Sequence, residues 1–474
     1  MRALSQALLK ELIDSAGSLP ASLAMPRYDR SQAATGVIHF GLGAFHRAHQ
    51  AVVFDALLAA GDARWGVLGV AMRSTELADA LARQDGLYTL QIASAAGRRW
   101  QIAGAIQKTC VASREPQYVI DAMALPTARW VTLSVTEKAY GPDLASLLVK
   151  GLAARKAAGL GGLTMASCDN LTGNGDKLRA LCVDAAQSME ASLAAWIVAH
   201  CAFPNSMVDR IVPAATAQHR ADAAQVTGVD DACALGTENF WEWVIEDRFV
   251  DSADGALLAS AGVTVVQDVL PFEQAKLCML NGSHTAIAVL GAVMGLPMVS
   301  DCVANGQIHY FVHTMMTDVM MPQLRRPDLP AYRDALLARF ANPDLRHKVH
   351  QIASDSSLKI PLRWLGTVMA RLAAGQQVDA LAFASAVWMR YLLSEDETGQ
   401  PYTISDPMAA TLQALAQQHR GDAAATVQAL TSLPSVWGDT LHADTRWTLR
   451  VTFWLERIQA VGVALALAEF NSAE

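Results

Sequence analysis

Residues 36–49 read GVIHFGLGAFHRAH, an apolar run holding Val37, Ile38 and Phe40 that stops at Gly41-Leu42-Gly43 and passes into a helix start. A G-x-G after a strand and before a helix has a physical reason. The first glycine makes the tight turn, and the second lets a pyrophosphate approach the backbone at the helix N-terminus. A strand carrying that turn belongs to a parallel sheet covered by crossover helices, which narrows the available architectures sharply. The third glycine of the usual pattern is absent, and His46 stands in its place.

The rest of the first half repeats the theme. β-rich apolar runs at 36–41, 66–72, 129–135 and 162–167 alternate with helical patterns such as 47–60 and 74–84. The expected class is therefore α/β, with an N-terminal Rossmann-type dinucleotide-binding domain. From about residue 276 the chain turns to Ala/Leu-rich helical periodicity, at 276–295, 331–340, 366–394, 406–417 and 446–468. That predicts a mainly α-helical C-terminal domain, with the boundary near 265–272. The division is 1–270 for nucleotide binding and 271–474 for a helical substrate and catalytic domain. The Ala/Gln-rich stretch at 212–227 reads as a loop or surface helix, and no internal repeat is visible.

Composition excludes several classes. A net charge of −8 argues against nucleic acid or an anionic membrane as the main partner. Glu11 and Asp14 interrupt the N-terminal apolar residues, so no signal peptide is expected, and stretches such as Val461–Leu467 are too short to span a bilayer. The seven cysteines (110, 168, 182, 201, 233, 278 and 302) form no C-x-x-C pair, which predicts reduced, buried thiols in a cytoplasmic protein. His46 and His49 make an H-x-x-H with no neighbouring carboxylate or cysteine ligand, and no metal is expected. The oligomeric state, monomer or dimer, is left open.

Chemistry concentrates in Lys276-Leu277-Cys278-Met279-Leu280-Asn281-Gly282-Ser283-His284. On an α-helix Lys276, Asn281 and His284 fall within an arc of roughly 140°, so one cavity can receive all three. An amine can take a hydroxyl proton, an amide can hold a developing oxyanion, and an imidazole can orient a substrate: a set suited to alcohol dehydrogenation. An amine with an ordinary pKa of about 10.4 is a poor base at neutrality, so Lys276 needs desolvation or a nearby cation. Glu273 lies one turn earlier. It is either a helix-start carboxylate or a proton relay to solvent, and as a relay its contact with Lys276 must be intermittent, because a charged carboxylate there raises the amine pKa.

Open α/β sheets bind ligands at the carboxyl ends of their strands. Gly41 and Gly43 end one such strand and are followed by Phe45, His46 and Arg47. Thr136, Glu137 and Lys138 follow another, and Asn170 a third, so these termini are expected to converge on cofactor and substrate. Asn170 reads alternatively as an Asx-turn residue. In MVDRIVP, Asp209 and Arg210 read either as a buried structural pair or as a substrate contact.

The words FGLGAFHRAHQ, VTEKAY (135–140), SCDNLTGNG (167–175), FPNSMVDRIVP (203–213), WVIEDRF (243–249) and PFEQAKLCMLNGSH (271–284) occur in order. Together they resemble the long-chain mannitol dehydrogenase family, which includes mannitol 2-dehydrogenases, arabinitol dehydrogenases and fructuronate reductases, from about residue 36 to about 360. The resemblance implies metal-independent hydride transfer between a nicotinamide cofactor and a linear sugar alcohol or sugar acid, of the mannitol/fructose or mannonate/fructuronate type. It assigns Lys276 the proton, Asn170 and Asn281 the substrate oxygen and His284 substrate orientation. Glu273 becomes the relay, with Val208, Asp209 and Lys359 at the substrate.

Two departures stand out. Asp355-Ser356-Ser357 replaces the family's Asp-Gly-Ser, which questions the local turn. VDSADGALLASAGV after WVIEDRF lacks the Gly-Arg-Pro-x-Trp-Glu run of many relatives. Cofactor choice turns on Arg73, which favours NADP, against Glu76, which favours NAD. The family is predominantly NAD-linked, so NAD is expected with NADP not excluded. A carboxylate-bearing substrate needs a cation at its far end, for which Lys359, Arg346 and His347 are candidates. The competing readings are a non-catalytic NAD(P) sensor and a hydroxyacid dehydrogenase of related architecture.

Overall fold

A computed structural model describes residues 1–14, 20–94 and 97–473. The chain divides into two compact units, Met1–Leu270 and Pro271–Glu474. The first is built on five parallel strands: β1 (Thr35–Phe40), β2 (Gly66–Ala71), β3 (Ile106–Val111), β4 (Trp130–Leu133) and β5 (Thr164–Ser167). Their spatial order is β3-β2-β1-β4-β5, the doubly wound order whose direction of winding reverses between β1 and β4.

Burial explains why these segments are strands. Ile38, Phe40, Leu68, Val70, Val131 and Leu133 pack into one core layer, while Val37, Val67 and Trp130 pack into the other. A parallel sheet covered on both faces needs continuous apolar runs, and β1, β2 and β4 supply them. Strand β3, with the sequence IQKTCV, lies at the sheet edge and keeps polar residues, so hydrophobicity alone does not announce it. A four-stranded sheet and a three-stranded sheet complete the unit. The latter pairs Ser206–Asp209 antiparallel with Glu242–Glu246, which in turn lies parallel to Thr264–Val266.

The second unit is helical. Its interior holds the fully buried Trp364, Trp388, Trp437 and Trp447, large apolar groups that dominate core energetics. Helices expected as continuous are interrupted: 366–394 resolves into Gly366–Ala373 and Asp379–Tyr391, and 446–468 into Thr445–Val461 and Val463–Ala473. The second break falls at Gly462, whose φ of 83° only glycine adopts without strain. The 212–227 stretch forms the helix Ala217–Thr227, opened by a capping box at Thr216 and His219. All seven cysteines are free thiols, five of them buried. Among the described residues no helix is long and apolar enough to cross a membrane.

The unusual segment after WVIEDRF has a structural use. It forms the helix Asp254–Ser260, and Asp254, 1% exposed, accepts the Trp130 Nε1 hydrogen at 2.8 Å and pairs with the Arg129 guanidinium. Asp254→Ala leaves the buried Trp130 indole N–H without its acceptor and Arg129 paired with the half-exposed Asp251 carboxylate at 3.1 Å, and is expected to cost about 2 kcal/mol in urea unfolding. Asp254→Asn, which keeps a carbonyl for Trp130, is expected to cost less. Equal stabilities of wild type and Asp254→Ala would remove this anchor from the account.

Candidate functional site

In the first unit the site is built at the point where the strand order reverses. Gly41 follows β1 with φ 102°, and a Cβ there would sit 2.2 Å from the Ser134 carbonyl oxygen. Only glycine lets the turn after β1 close against the end of β4. His39 locks the arrangement. Its Nε2 lies 3.1 Å from the Gly41 carbonyl and 2.9 Å from Ser134 Oγ, and its Nδ1 lies 2.8 Å from Thr132 Oγ1. A carbonyl can only accept, so the ring carries its proton on Nε2 and accepts the Thr132 hydroxyl at Nδ1. Burial lowers the His39 pKa to about 3, which keeps the ring neutral.

Gly43 opens the short helix Ala44–Ala48, and a Cβ on it would meet nothing within 4 Å. The bare backbone there suits the close approach of a pyrophosphate, so this turn fits a dinucleotide. Phe45 is partly buried and stacks on His49 at 5.0 Å. His46 and Arg47, expected at the cofactor, lie inside the fold instead, at 0% and 3% exposure. His46 stacks on His39 at 3.3 Å, while the Arg47 guanidinium donates to the Cys233 carbonyl and lies over the Tyr88 ring. Both support the turn from within: the helix that begins at Ala44 turns these side chains inward. Thr136, Glu137 and Lys138 are exposed on and beside the tight turn Glu137–Ala139 beyond β4.

Arg73 and Glu76 separate clearly. Arg73 lines a cavity of about 520 Å³ at the ends of β2 and β3, together with Met72, Ser113, Asp143 and Lys150, and pairs with Asp143 at 2.7 Å. Glu76 begins the helix Glu76–Arg83 and is not among the residues lining that cavity.

Beyond β5 the loop Cys168–Gly173 carries Asn170 on its exposed part. Asn174 staples the loop down, donating to the Asp169 and Ser206 carbonyls at 3.0 and 2.8 Å and accepting from the Ser206 N–H at 2.9 Å. Asn205 does the same from the other side, through the Asp176 N–H at 3.0 Å and the Glu246 carboxylate at 3.2 Å. These bonds join SCDNLTGNG to FPNSMVDRIVP and hold Val208 and Asp209 on the neighbouring strand, both 4% exposed. Arg210 donates to the Glu238 and Ala48 carbonyls, and burial lowers its pKa to about 10. Neither asparagine was singled out by type, although both lie in the quoted words.

In the second unit, Glu273 lies in the helix Leu270–Ala275 and is buried, 7% exposed, as is Lys276 at 9%. Lys276–Gly282 is a π-helical turn, and the α-helix Ser283–Val293 follows it. The wider turn changes the facing. In an i→i+5 helix Lys276 and Asn281 stand close to one full turn apart, so they are nearly aligned rather than at the edges of the arc an α-helix implies. A second π-turn, Pro361–Leu365, secures the first. Arg363 Nη1 donates to the Asn281 carbonyl at 3.0 Å and to Thr285 Oγ1 at 2.6 Å, and Trp364 Nε1 donates to the Gly282 carbonyl at 3.0 Å.

His284 packs on Phe340 at 5.1 Å and on His347 at 5.5 Å, with its Nε2 sealed from water. Burial first, then the charges of His347, Arg363, Arg339 and Lys359, pushes its pKa well down, which keeps the ring neutral. Lys359 donates to the Ile352 carbonyl at 3.0 Å. The doubt over Asp355-Ser356-Ser357 resolves locally. The left-handed residue is Asp355, at φ 52°, while Ser356 starts a helix, donates to Asp406 at 3.2 Å and accepts from Trp388 Nε1 at 2.9 Å.

Two tests follow from the first unit's geometry. Gly41→Ala is expected to lose about 2–4 kcal/mol of stability, since both its φ and its surroundings forbid a side chain. Gly43→Ala is expected to melt like wild type yet bind a nicotinamide dinucleotide about tenfold more weakly by calorimetry. Unchanged affinity in Gly43→Ala would detach this turn from cofactor binding. The second test concerns Asp169. Burial raises its pKa from 3.8 to about 7, against opposing hydrogen bonds from Tyr140 and Ser167. A raised carboxyl pKa gives stability that is complete below about pH 4 and lost as pH rises through about 7. Asp169→Asn cannot ionise, so its stability relative to wild type should grow by about 2 kcal/mol between pH 5 and pH 8 in urea unfolding. A difference independent of pH would contradict this.

Comparison with known proteins places these two units. Residues 35–255 match the model of the mannitol dehydrogenase Rossmann domain, and residues 268–459 match that of the mannitol dehydrogenase C-terminal domain. The chain is 37% identical to an uncharacterised oxidoreductase of Escherichia coli (strain K12), over 96% of this chain and 99% of that one. It is 36% identical to the D-mannonate oxidoreductase of the same organism, over 93% and 96%. It also resembles the structure of Pseudomonas fluorescens mannitol 2-dehydrogenase in ternary complex with NAD and D-mannitol, at a TM-score of 0.81, 30% identity and full coverage of both chains. With both family models matched in order across most of its length, the chain belongs to the mannitol dehydrogenase family.

Proposed function

We propose that this protein is an NAD-dependent oxidoreductase that interconverts a secondary alcohol of a linear polyol or sugar acid with the corresponding ketone. The observation that carries the reading is the π-turn Lys276–Gly282, in which a buried amine and an amide share one helix face. Support comes from the family, from the D-mannonate oxidoreductase relative and from the neighbour bound to NAD and D-mannitol.

The roles follow from the chemistry of each group. Bound NAD supplies the hydride acceptor. The backbone at Gly41 and Gly43 takes the pyrophosphate, and Phe45, Thr136, Glu137 and Lys138 border it on the strand-end surface. Arg73 lines the cavity at the ends of β2 and β3 and Glu76 does not, so the assays compare NAD with NADP. Lys276 removes the hydroxyl proton in oxidation and returns it in reduction, and Glu273, three residues away, relays it towards solvent. Asn281 and Asn170 donate amide hydrogens to the oxygen as negative charge develops on it. Neutral His284 orients the substrate, with Val208, Asp209 and Lys359 along its hydroxyl chain.

The test is initial-rate reduction of NAD and NADP with mannitol, arabinitol, sorbitol and mannonate, using wild type and Lys276→Ala. Turnover of at least one member by wild type is expected. Lys276→Ala should lower kcat by about 10²–10⁴-fold while dinucleotide affinity stays near that of wild type. Dinucleotide binding without turnover of any polyol or aldonate would instead favour a sensor. Full turnover by Lys276→Ala would remove the lysine from the proton path.

A further inference from the structure

Arg363 makes an incomplete set of bonds. A guanidinium carries five N–H donors in a planar fork, yet only Nη1 is engaged, on the Asn281 carbonyl and Thr285 Oγ1. Among the described residues Nε and Nη2 have no partner, and they are not sealed from solvent. No carboxylate forms a salt bridge with Arg363 among the described residues, and burial is the one influence on its pKa, lowering it to about 10.

The neighbourhood repeats the imbalance. Lys359 lies four residues earlier on the same helical segment, Ser356–Ile360 running into Pro361–Leu365, a spacing at which like charges repel. Its ammonium donates to the Ile352 carbonyl and, at 3.5 Å, to Ser354 Oγ. The carboxylates that act on it are Asp355 and Asp406. Asp406 is engaged in capping, accepting from the Ser357 N–H at 2.8 Å, Ser357 Oγ at 2.6 Å and the Met408 N–H at 2.9 Å. Half-buried His347 packs against His284 nearby, the rings tilted by 35°. Two cations with donors open to solvent, on the element that clamps the Lys276–Gly282 turn, leave room for an anion.

We infer that Arg363, through its free Nε–Nη2 edge, together with Lys359 forms a carboxylate site that holds the acid end of an open-chain aldonate. This rests on the function proposed above and selects sugar acids over neutral polyols as the substrate class. The free edge matches a carboxylate in bidentate fashion, which an ammonium cannot do. The same guanidinium then joins the carboxylate to the Asn281 backbone, so an occupied acid site and the π-turn reinforce one another. Among the cations weighed from sequence, Arg346 is exposed and left-handed at φ 47°, whereas Arg363 was passed over.

The experiment compares kcat/KM for C5 and C6 aldonates, D-mannonate included, with the alditols of the same configuration. It uses wild type, Arg363→Gln and Lys359→Gln, the second variant serving if the first does not fold. Wild type is expected to prefer an aldonate by at least about 100-fold, and each variant to reduce that preference at least about tenfold, mainly through KM for the acid. Wild-type turnover of alditols with no preference for acids overturns the carboxylate site and leaves the proposed function standing. Equal losses on acids and alditols in the variants also overturn it, because Arg363 then only clamps the turn. Turnover of neither class by wild type overturns the proposed function itself.

Discussion

The π-turn at Lys276–Gly282 is the constraint on which the second unit's chemistry depends. A π-turn is disfavoured against an α-helix unless something outside the helix holds it. Here that hold is the pair of side chains Arg363 and Trp364, which meet the Asn281 and Gly282 carbonyls at 3.0 Å each. Both come from another π-turn, so two irregular segments stabilise each other through bonds a regular helix would not offer. The consequence is positional. Lys276 and Asn281 align on one face, and the helix resumes at Ser283 carrying His284 beside Phe340 and His347.

The first unit solves a different problem: holding flexible strand ends in fixed positions. His39 ties the β1 turn to β4 through Gly41 and Ser134, and its neutrality follows from burial. Asn174 and Asn205 then bind the loop beyond β5 to the strand Ser206–Asp209. Each tie satisfies buried polar groups completely enough to fix a geometry, which is how polar networks contribute uniqueness as well as stability. Gly43, Thr136 and Asn170 lie exposed on these fixed ends.

Much of this was legible in the sequence, for identifiable reasons. Strands β1, β2, β4 and β5 are buried on both faces, so their apolar runs stand out, whereas edge strand β3 mixes lysine and glutamine with its apolar residues and was passed over. The helix breaks at residues 374–378 and at Gly462 carry a signal, the stop glycines Gly375 at φ 66° and Gly462 at φ 83°, that the Ala/Leu periodicity on either side overrode. The π-turn was invisible because apolar spacing does not distinguish it from an α-helix; only the partners Arg363 and Trp364, about eighty residues away, determine it. The inward facing of Arg47 likewise depends on distant groups, Cys233 and Tyr88, while His46 stacks on His39 seven residues earlier. Asp355 carries the backbone strain that the missing glycine at 356 seemed to demand, so that replacement proves harmless.

The chemistry drawn from these arrangements separates a proton from a hydride. In the proposed function Lys276 and the asparagines handle the oxygen and its proton, and the hydrogen on carbon leaves as hydride to the nicotinamide. The most direct test is to supply a substrate deuterated at the reacting carbinol carbon together with NAD, and to weigh the reduced cofactor by mass spectrometry. The account predicts one deuterium in the NADH formed, with a primary isotope effect on single-turnover rates. Unlabelled reduced cofactor, or deuterium released to water, would contradict it.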